Sequence, residues 1–191
     1  MDPKTLTRTY LDEAHAMEAA LVTNLVAHIA MTTDDDYRAL LERHLEETRA
    51  QVENIDRRRK AVGHARRNPL RAGIGLARDI AGQALVLTKG PIDGLRTIDQ
   101  HDRMLKNARD ECATEALEIA TYDVLETVAK AAGDRPTAKL AADHRAQEER
   151  MLADLRAMLA KLAVETYESR TGEDAVPQVK AAATRKLASV G

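Results

Sequence analysis

Carboxylates and imidazoles recur in four segments of the sequence, where they alternate with apolar residues at steps of three and four. This spacing predicts four helices in which these polar side chains lie on the same face as the apolar residues. The residues concerned are Glu18, His44, Glu47, Glu115, Glu118, His144 and Glu148. Four such helices packed together would bring like charges to one interior region, where protons or cations must separate them.

Divalent iron and manganese both take carboxylate and imidazole ligands. Helical bundles that hold two such ions draw one Glu from each of two helices and a Glu/His pair from each of the other two. In that arrangement the single carboxylates are Glu18 and Glu118, the pairs are His44 with Glu47 and His144 with Glu148, and Glu115 is a further ligand. We therefore expect a site for two iron ions, with two manganese ions as the alternative.

Tyr122 lies one helical turn after Glu118 and shares its predicted face. A phenol at this place can donate a hydrogen bond to a metal ligand or act as a redox-active catalytic group. If the metal site is real, the predicted activity is that of an oxidoreductase of ferroxidase or peroxidase type.

A second interpretation needs no metal. Any one of these Glu residues could lie at the edge of an apolar face and reach solvent, and an inner polar cluster can be satisfied by hydrogen bonds alone. The protein would then be a helical-bundle interaction or structural protein that acts as a homodimer or through a basic surface.

The composition favours long helices, because Ala, Leu, Glu, Lys and Arg dominate while Phe and Trp are absent. The pattern predicts helices over about residues 4–31, 35–62, 92–132 and 136–166. The turn at 32–36 offers Asp and Thr caps for the second helix. Between the second and third helices, residues 63–94 contain six of the nine glycines and predict a long crossover with a possible short helix.

Two hairpins joined by one long crossover predict an all-α, ferritin-like antiparallel four-helix bundle. The bundle would occupy residues 1–170, and residues 171–191 would form a linker and a tail. No signal peptide or membrane span is expected, and one cysteine suits a reducing compartment, so we expect a cytoplasmic protein.

Basic residues concentrate between positions 57 and 71, at the end of the second predicted helix. There they complement the helix dipole, which is the interpretation that we favour. Contact with nucleic acid or with an anionic membrane is disfavoured, because the net charge is −2 and no aromatic residue interleaves the basic run.

Four short motifs, one in each helix, resemble the ferritin-like family of YciE and YciF type. They are YLDEAHAME (10–18), HLEETRAQV (44–52), EALEIATY (115–122) and EERM (148–151). The resemblance covers about residues 5–165 and implies a ferritin-like bundle, a metal site and a link to stress responses. Ferritins and rubrerythrins carry Glu-x-x-His pairs, and this sequence departs from them in two helices. Three residues after Glu148 it has Met151 in place of a His, and in the second predicted helix the order is reversed, with His44 before Glu47.

Overall fold

The computed structural model describes residues 2–63 and 100–189 of the protein, and within these residues the regular elements are helices without any strand. The helices are α1 (Pro3–Met31), α2 (Asp35–Ala61), α3 (Gln100–Ala131), α4 (Arg135–Thr171) and α5 (Pro177–Ala188). The predicted all-α class is therefore confirmed. The predicted start of the third helix near 92 and the crossover, apart from Gly63, lie outside the described residues.

The ends of α1 and α2 follow from local side-chain chemistry. Asp34 precedes α2 and accepts a hydrogen bond from the backbone N–H of Tyr37 at 2.8 Å, as predicted for the 32–36 turn. Asp2 caps α1 in the same way, because its carboxylate accepts a hydrogen bond from the backbone N–H of Thr5. Such caps satisfy backbone donors that have no partner inside the helix, so they fix the residue at which each helix begins.

The turn between α3 and α4 depends on Gly133. Its φ of +71° lies in the left-handed region that favours glycine. The N–H of Gly133 bonds to the carbonyl of Lys130, and the N–H of Asp134 bonds to that of Ala129, which is the Schellman pattern of helix termination. Asp134 then caps α4 by accepting a 3.2 Å bond from the N–H of Thr137. Two helices thus meet in a tight, defined turn.

The chain forms two compact units. In its described part, the first unit combines α1 and α2 with residues 117–131 of α3 and 135–148 of α4, and these four helical segments form a four-helix bundle. Its core includes Leu11, Ala14, Met17, Ile55, Tyr122, Leu125 and Ala141. Leu11, Ala14 and Met17 follow one another at steps of three on α1, and Tyr122 and Leu125 do so on α3, as a buried helical face requires.

Two arginines of the basic run tie the helices of the first unit together. Arg58 on α2 donates to the carboxylate of Asp134 and, at 2.6 Å, to the hydroxyl of Thr137. Arg59 donates to Asp12 on α1 at 2.6 Å. Both guanidinium groups are largely buried, so they stabilise the packing of α2 against α1 and α4.

The second unit, described by itself, contains residues 100–116 and 149–171 together with α5. Lys180 on α5 lies 2.7 Å from Glu168 on α4, and Glu168 also accepts a hydrogen bond from the N–H of Ala175. The region predicted as a linker and tail therefore includes a twelve-residue helix held near the end of α4. None of the described helices has the length and apolar character needed to cross a membrane.

Leucine truncation on α3 tests this core. Leu125→Ala removes a fully buried side chain and should lower the free energy of unfolding by about 2–5 kcal/mol, because it leaves a cavity. Leu117→Ala, two turns earlier and 44% exposed, should change it by less than about 0.5 kcal/mol. Urea denaturation followed by circular dichroism measures both, and equal losses would contradict the assigned core.

A candidate metal centre

Three side chains from three helices converge inside the first unit: His44 of α2, Glu118 of α3 and Glu148 of α4. Glu115, one helical turn before Glu118 on α3, is the fourth member of this cluster. One ligand atom from each of the four lies within 4.8 Å of the other three. Each residue is at most 1% exposed, so the cluster is shielded from water.

Helical periodicity explains how α2 presents His44. The buried positions of α2 recur at Leu40, His44, Gln51 and Ile55, and they define a narrow inward stripe. His44 lies at the middle of that stripe and its backbone carbonyl accepts a 2.8 Å hydrogen bond from the hydroxyl of Thr48. The imidazole is therefore directed into the bundle by the same pattern that buries the leucines.

The donor set fits a divalent metal ion. Carboxylates buried this close together repel each other unless a proton or a cation lies between them. Ligand atoms about 2.0–2.2 Å from one ion are at most about 4.4 Å apart, so small side-chain adjustments would bring atoms spaced within 4.8 Å into contact with it. Imidazole with carboxylates suits iron and manganese.

Gln51 holds one of the carboxylates in place. Its amide nitrogen donates a hydrogen bond to the carboxylate of Glu148 and another, 3.0 Å long, to the side-chain oxygen of Gln147. Gln51 was not among the predicted site residues, although its position seven residues after His44 places both on one face of α2. The seven-residue spacing between His44 and an amide side chain is therefore the sequence signal that could have identified Gln51.

Tyr122 joins two further predicted residues in a buried hydrogen-bonded group. Its hydroxyl donates to the carboxylate of Glu18, and Nδ1 of His144 lies 3.1 Å from the same hydroxyl. The rings of Tyr122 and His144 meet edge to face, with centroids 5.2 Å apart. Because the phenol proton is directed at Glu18, Nδ1 of His144 is the donor when both bonds are made.

Burial keeps both aromatic groups neutral. It raises the pKa of Tyr122 well above its usual value of 10, and the nearby carboxylates of Glu18, Glu118 and Glu148 raise it further. Burial also lowers the pKa of His144 to about 4, so its imidazole carries no charge at physiological pH. The phenol thus remains a hydrogen-bond donor beside the carboxylate cluster.

The structure brings together four of the seven predicted metal ligands, namely His44, Glu115, Glu118 and Glu148. Glu18 and His144 are buried beside Tyr122 and are hydrogen-bonded to it. Glu47, also predicted as a ligand, is exposed and lies outside this cluster. Thr48, four residues after His44, takes the inward position, and Glu47 lies about 100° around the helix from Thr48.

Comparison with known proteins supports the same fold. The model of a family described as a domain of unknown function, DUF892, matches residues 5–168. A crystal structure of a Xanthomonas campestris protein is similar with 21% identity and a TM-score of 0.68, covering 88% of this chain and 98% of that one. No curated protein sequence matches the chain.

Two other solved structures are similar at comparable levels. The E. coli stress protein YciF has 20% identity and a TM-score of 0.66 over 84% of this chain and 96% of its own. YcfI, a putative structural protein from Rhodopseudomonas palustris, has 22% identity and a TM-score of 0.64 over 82% and 94%. The predicted resemblance to the YciE and YciF type is therefore confirmed, and identities this low establish the fold alone.

The depressed pKa of His144 predicts a pH dependence of stability in metal-free protein. The unfolded chain binds a proton at His144 near pH 6.5, whereas in the folded chain the pKa of His144 is lowered to about 4, so the proton binds only near that pH. The free energy of unfolding should therefore fall as pH drops through this window, by up to about 3 kcal/mol from this group.

Urea denaturation at several pH values measures this effect, with His144→Gln as the test variant and His28→Gln as the control. The His144→Gln protein should lose less stability than wild type between pH 6.5 and pH 4, while the control should follow wild type. Parallel curves for wild type and His144→Gln would contradict the assignment.

Proposed function

We propose a metal-binding function for this chain, which belongs to the family described as a domain of unknown function, DUF892. The observation that carries the proposal is the convergence of three buried carboxylates and one imidazole within 4.8 Å. A cation at their centre would offset a repulsion that the low-dielectric interior makes strong. The ligands are His44, Glu115, Glu118 and Glu148.

Iron(II) is the metal that we propose, with manganese(II) as the alternative, because both accept this mixture of carboxylate and imidazole ligands. Either ion, when bound, supplies redox chemistry toward oxygen or peroxide. E. coli YciF, whose fold this chain shares, is a stress protein, and such chemistry suits a cytoplasmic stress response. The proposed activity is therefore that of an oxidoreductase of ferroxidase or peroxidase type.

The four-residue cluster would hold the first of two ions, and Glu18 and His144 are the ligands available for a second. Tyr122 holds both of these side chains in place by hydrogen bonds. Its proposed catalytic role is to keep a proton at the phenol oxygen, from which it donates a hydrogen bond to Glu18. Gln51 donates a hydrogen bond to the carboxylate of Glu148, so it would hold this proposed ligand in place.

A second candidate is a metal-free structural or interaction protein. The hydrogen bonds of Gln51 with Glu148 and of Tyr122 with Glu18 favour it, because they satisfy part of the polar interior without an ion. Leu117 and Val124 lie seven residues apart on α3 and are 44% and 42% exposed, which would suit the apolar contact of a homodimer. The YcfI structure is that of a putative structural protein.

Removing one carboxylate of the cluster tests the metal proposal. Glu118→Gln keeps the volume of the side chain but removes its charge, so Fe(II) or Mn(II) affinity should fall by at least about tenfold. Glu47→Gln is the matched control, because Glu47 is exposed on the same bundle, and it should bind metal like wild type. Equilibrium titration under nitrogen, followed by elemental analysis of the desalted protein, gives both values.

Circular dichroism of each variant establishes that the helices remain folded. Wild-type protein that takes up neither ion would contradict the metal proposal and support the metal-free candidate. Equal metal binding by wild type and Glu118→Gln would show that the metal is bound elsewhere.

A further inference from the structure

A groove of ≈ 660 Å³ opens between the end of α2 and the start of α4 in the first unit. Its walls carry three cationic side chains, those of Arg57, Arg58 and Lys139, against one carboxylate, that of Asp143. The volume lies in the range of small-molecule sites. The groove is separate from the four-residue cluster, because none of those four residues lines it.

The cations of the groove differ in how firmly they are held. Arg58 is fixed by Asp134 and Thr137, so it forms a positioned donor in the wall. Arg57 and Lys139 are 68% and 75% exposed, and they pair with the carboxylates of Glu53 and Asp143 at the surface. Exposed ion pairs of this kind are weak, so a phosphate at the rim can replace the carboxylate partners. Guanidinium and ammonium groups in this arrangement suit the oxygens of a phosphate group.

The inner wall of the groove is polar and buried. It includes the imidazole of His144, which is 3% exposed and bonded through Nδ1 to Tyr122. When Nδ1 donates to Tyr122, Nε2 of the neutral ring is a hydrogen-bond acceptor, so the donors that this wall offers to an anion come from another side chain. Gln147 also lines this wall, and because its side-chain oxygen accepts a bond from Gln51, its amide N–H groups remain available as donors.

The same groove offers an apolar surface. Ala61 at the end of α2 and Pro136 and Leu140 on the first turns of α4 belong to its lining. A bare inorganic anion would leave these groups in contact with water. An organic group attached to the anion would cover them and gain from the burial of apolar area.

We propose that this groove binds a small organic molecule that carries a phosphate group. The phosphate lies between Arg57 and Lys139, and its oxygens accept hydrogen bonds from the amide N–H groups of Gln147 at the inner wall. The side-chain oxygen of Gln147 accepts a bond from the amide of Gln51, which also donates to Glu148 of the cluster. Binding itself requires no metal ion, so it can be measured on metal-free protein.

Isothermal titration of metal-free, full-length protein with phenyl phosphate tests the proposal, and inorganic phosphate is the comparison ligand. Phenyl phosphate should bind saturably and more tightly than inorganic phosphate, because only the ester covers the apolar residues. The double variant Arg57→Gln, Lys139→Gln should weaken phenyl phosphate by at least about tenfold. The double variant Arg43→Gln, Arg49→Gln removes two positive charges as well, from exposed arginines of α2 outside the groove, and should bind like wild type.

A second readout locates the ligand. Imidazole signals in nuclear magnetic resonance spectra, with that of His144 assigned from its loss in His144→Gln, should show a shift for His144 on addition of phenyl phosphate. The other histidines of the described residues do not line the groove and should not shift. The proposal is overturned if phenyl phosphate fails to saturate the protein, if inorganic phosphate binds equally well, or if the control variant Arg43→Gln, Arg49→Gln weakens binding as much as the groove variant.

Discussion

The burial of several carboxylates at one place is the constraint on which the rest of the first unit depends. Glu118 and Glu148 reach the cluster from different helices, and His44 reaches it from a third. Like charges in a low-dielectric interior are tolerated only when their positions are well defined and an opposite charge or proton is close. The register of α2, α3 and α4 must therefore be set to within a fraction of a helical turn.

Several interactions set that register away from the cluster itself. The Schellman turn at Gly133 fixes where α3 ends, Asp134 fixes where α4 begins, and Arg58 ties this turn to α2. Closer to the site, the buried bonds of Tyr122 and Gln51 orient the carboxylates that they contact. Buried polar groups satisfied in this way rigidify a core, so the bundle is built to hold a fixed arrangement of acidic groups.

Most of this arrangement was predictable, because the steps of three and four that bury Leu125 and Leu155 also bury Glu118 and Glu148. Glu47 shows the limit of that argument. Spacing defines the centre of a buried face, but which residues at its edge are covered depends on how neighbouring helices pack. The pairing of Tyr122 with Glu18, 104 residues apart, is likewise a property of the packed bundle. Composition and turn residues sufficed for the hairpins, whereas the pairing of Lys180 on α5 with Glu168 on α4 is a contact that spacing alone does not predict.

Anomalous X-ray diffraction from crystals soaked in Mn(II) would show whether the buried cluster binds a metal ion. We expect a manganese peak inside the bundle, about 2 Å from the nearest ligand atoms of His44, Glu118 and Glu148. Crystals of Glu118→Gln soaked in the same way should lack this peak. A wild-type crystal at saturating Mn(II) with no peak at the cluster, and with its carboxylates joined to one another by shared protons, would contradict the metal proposal.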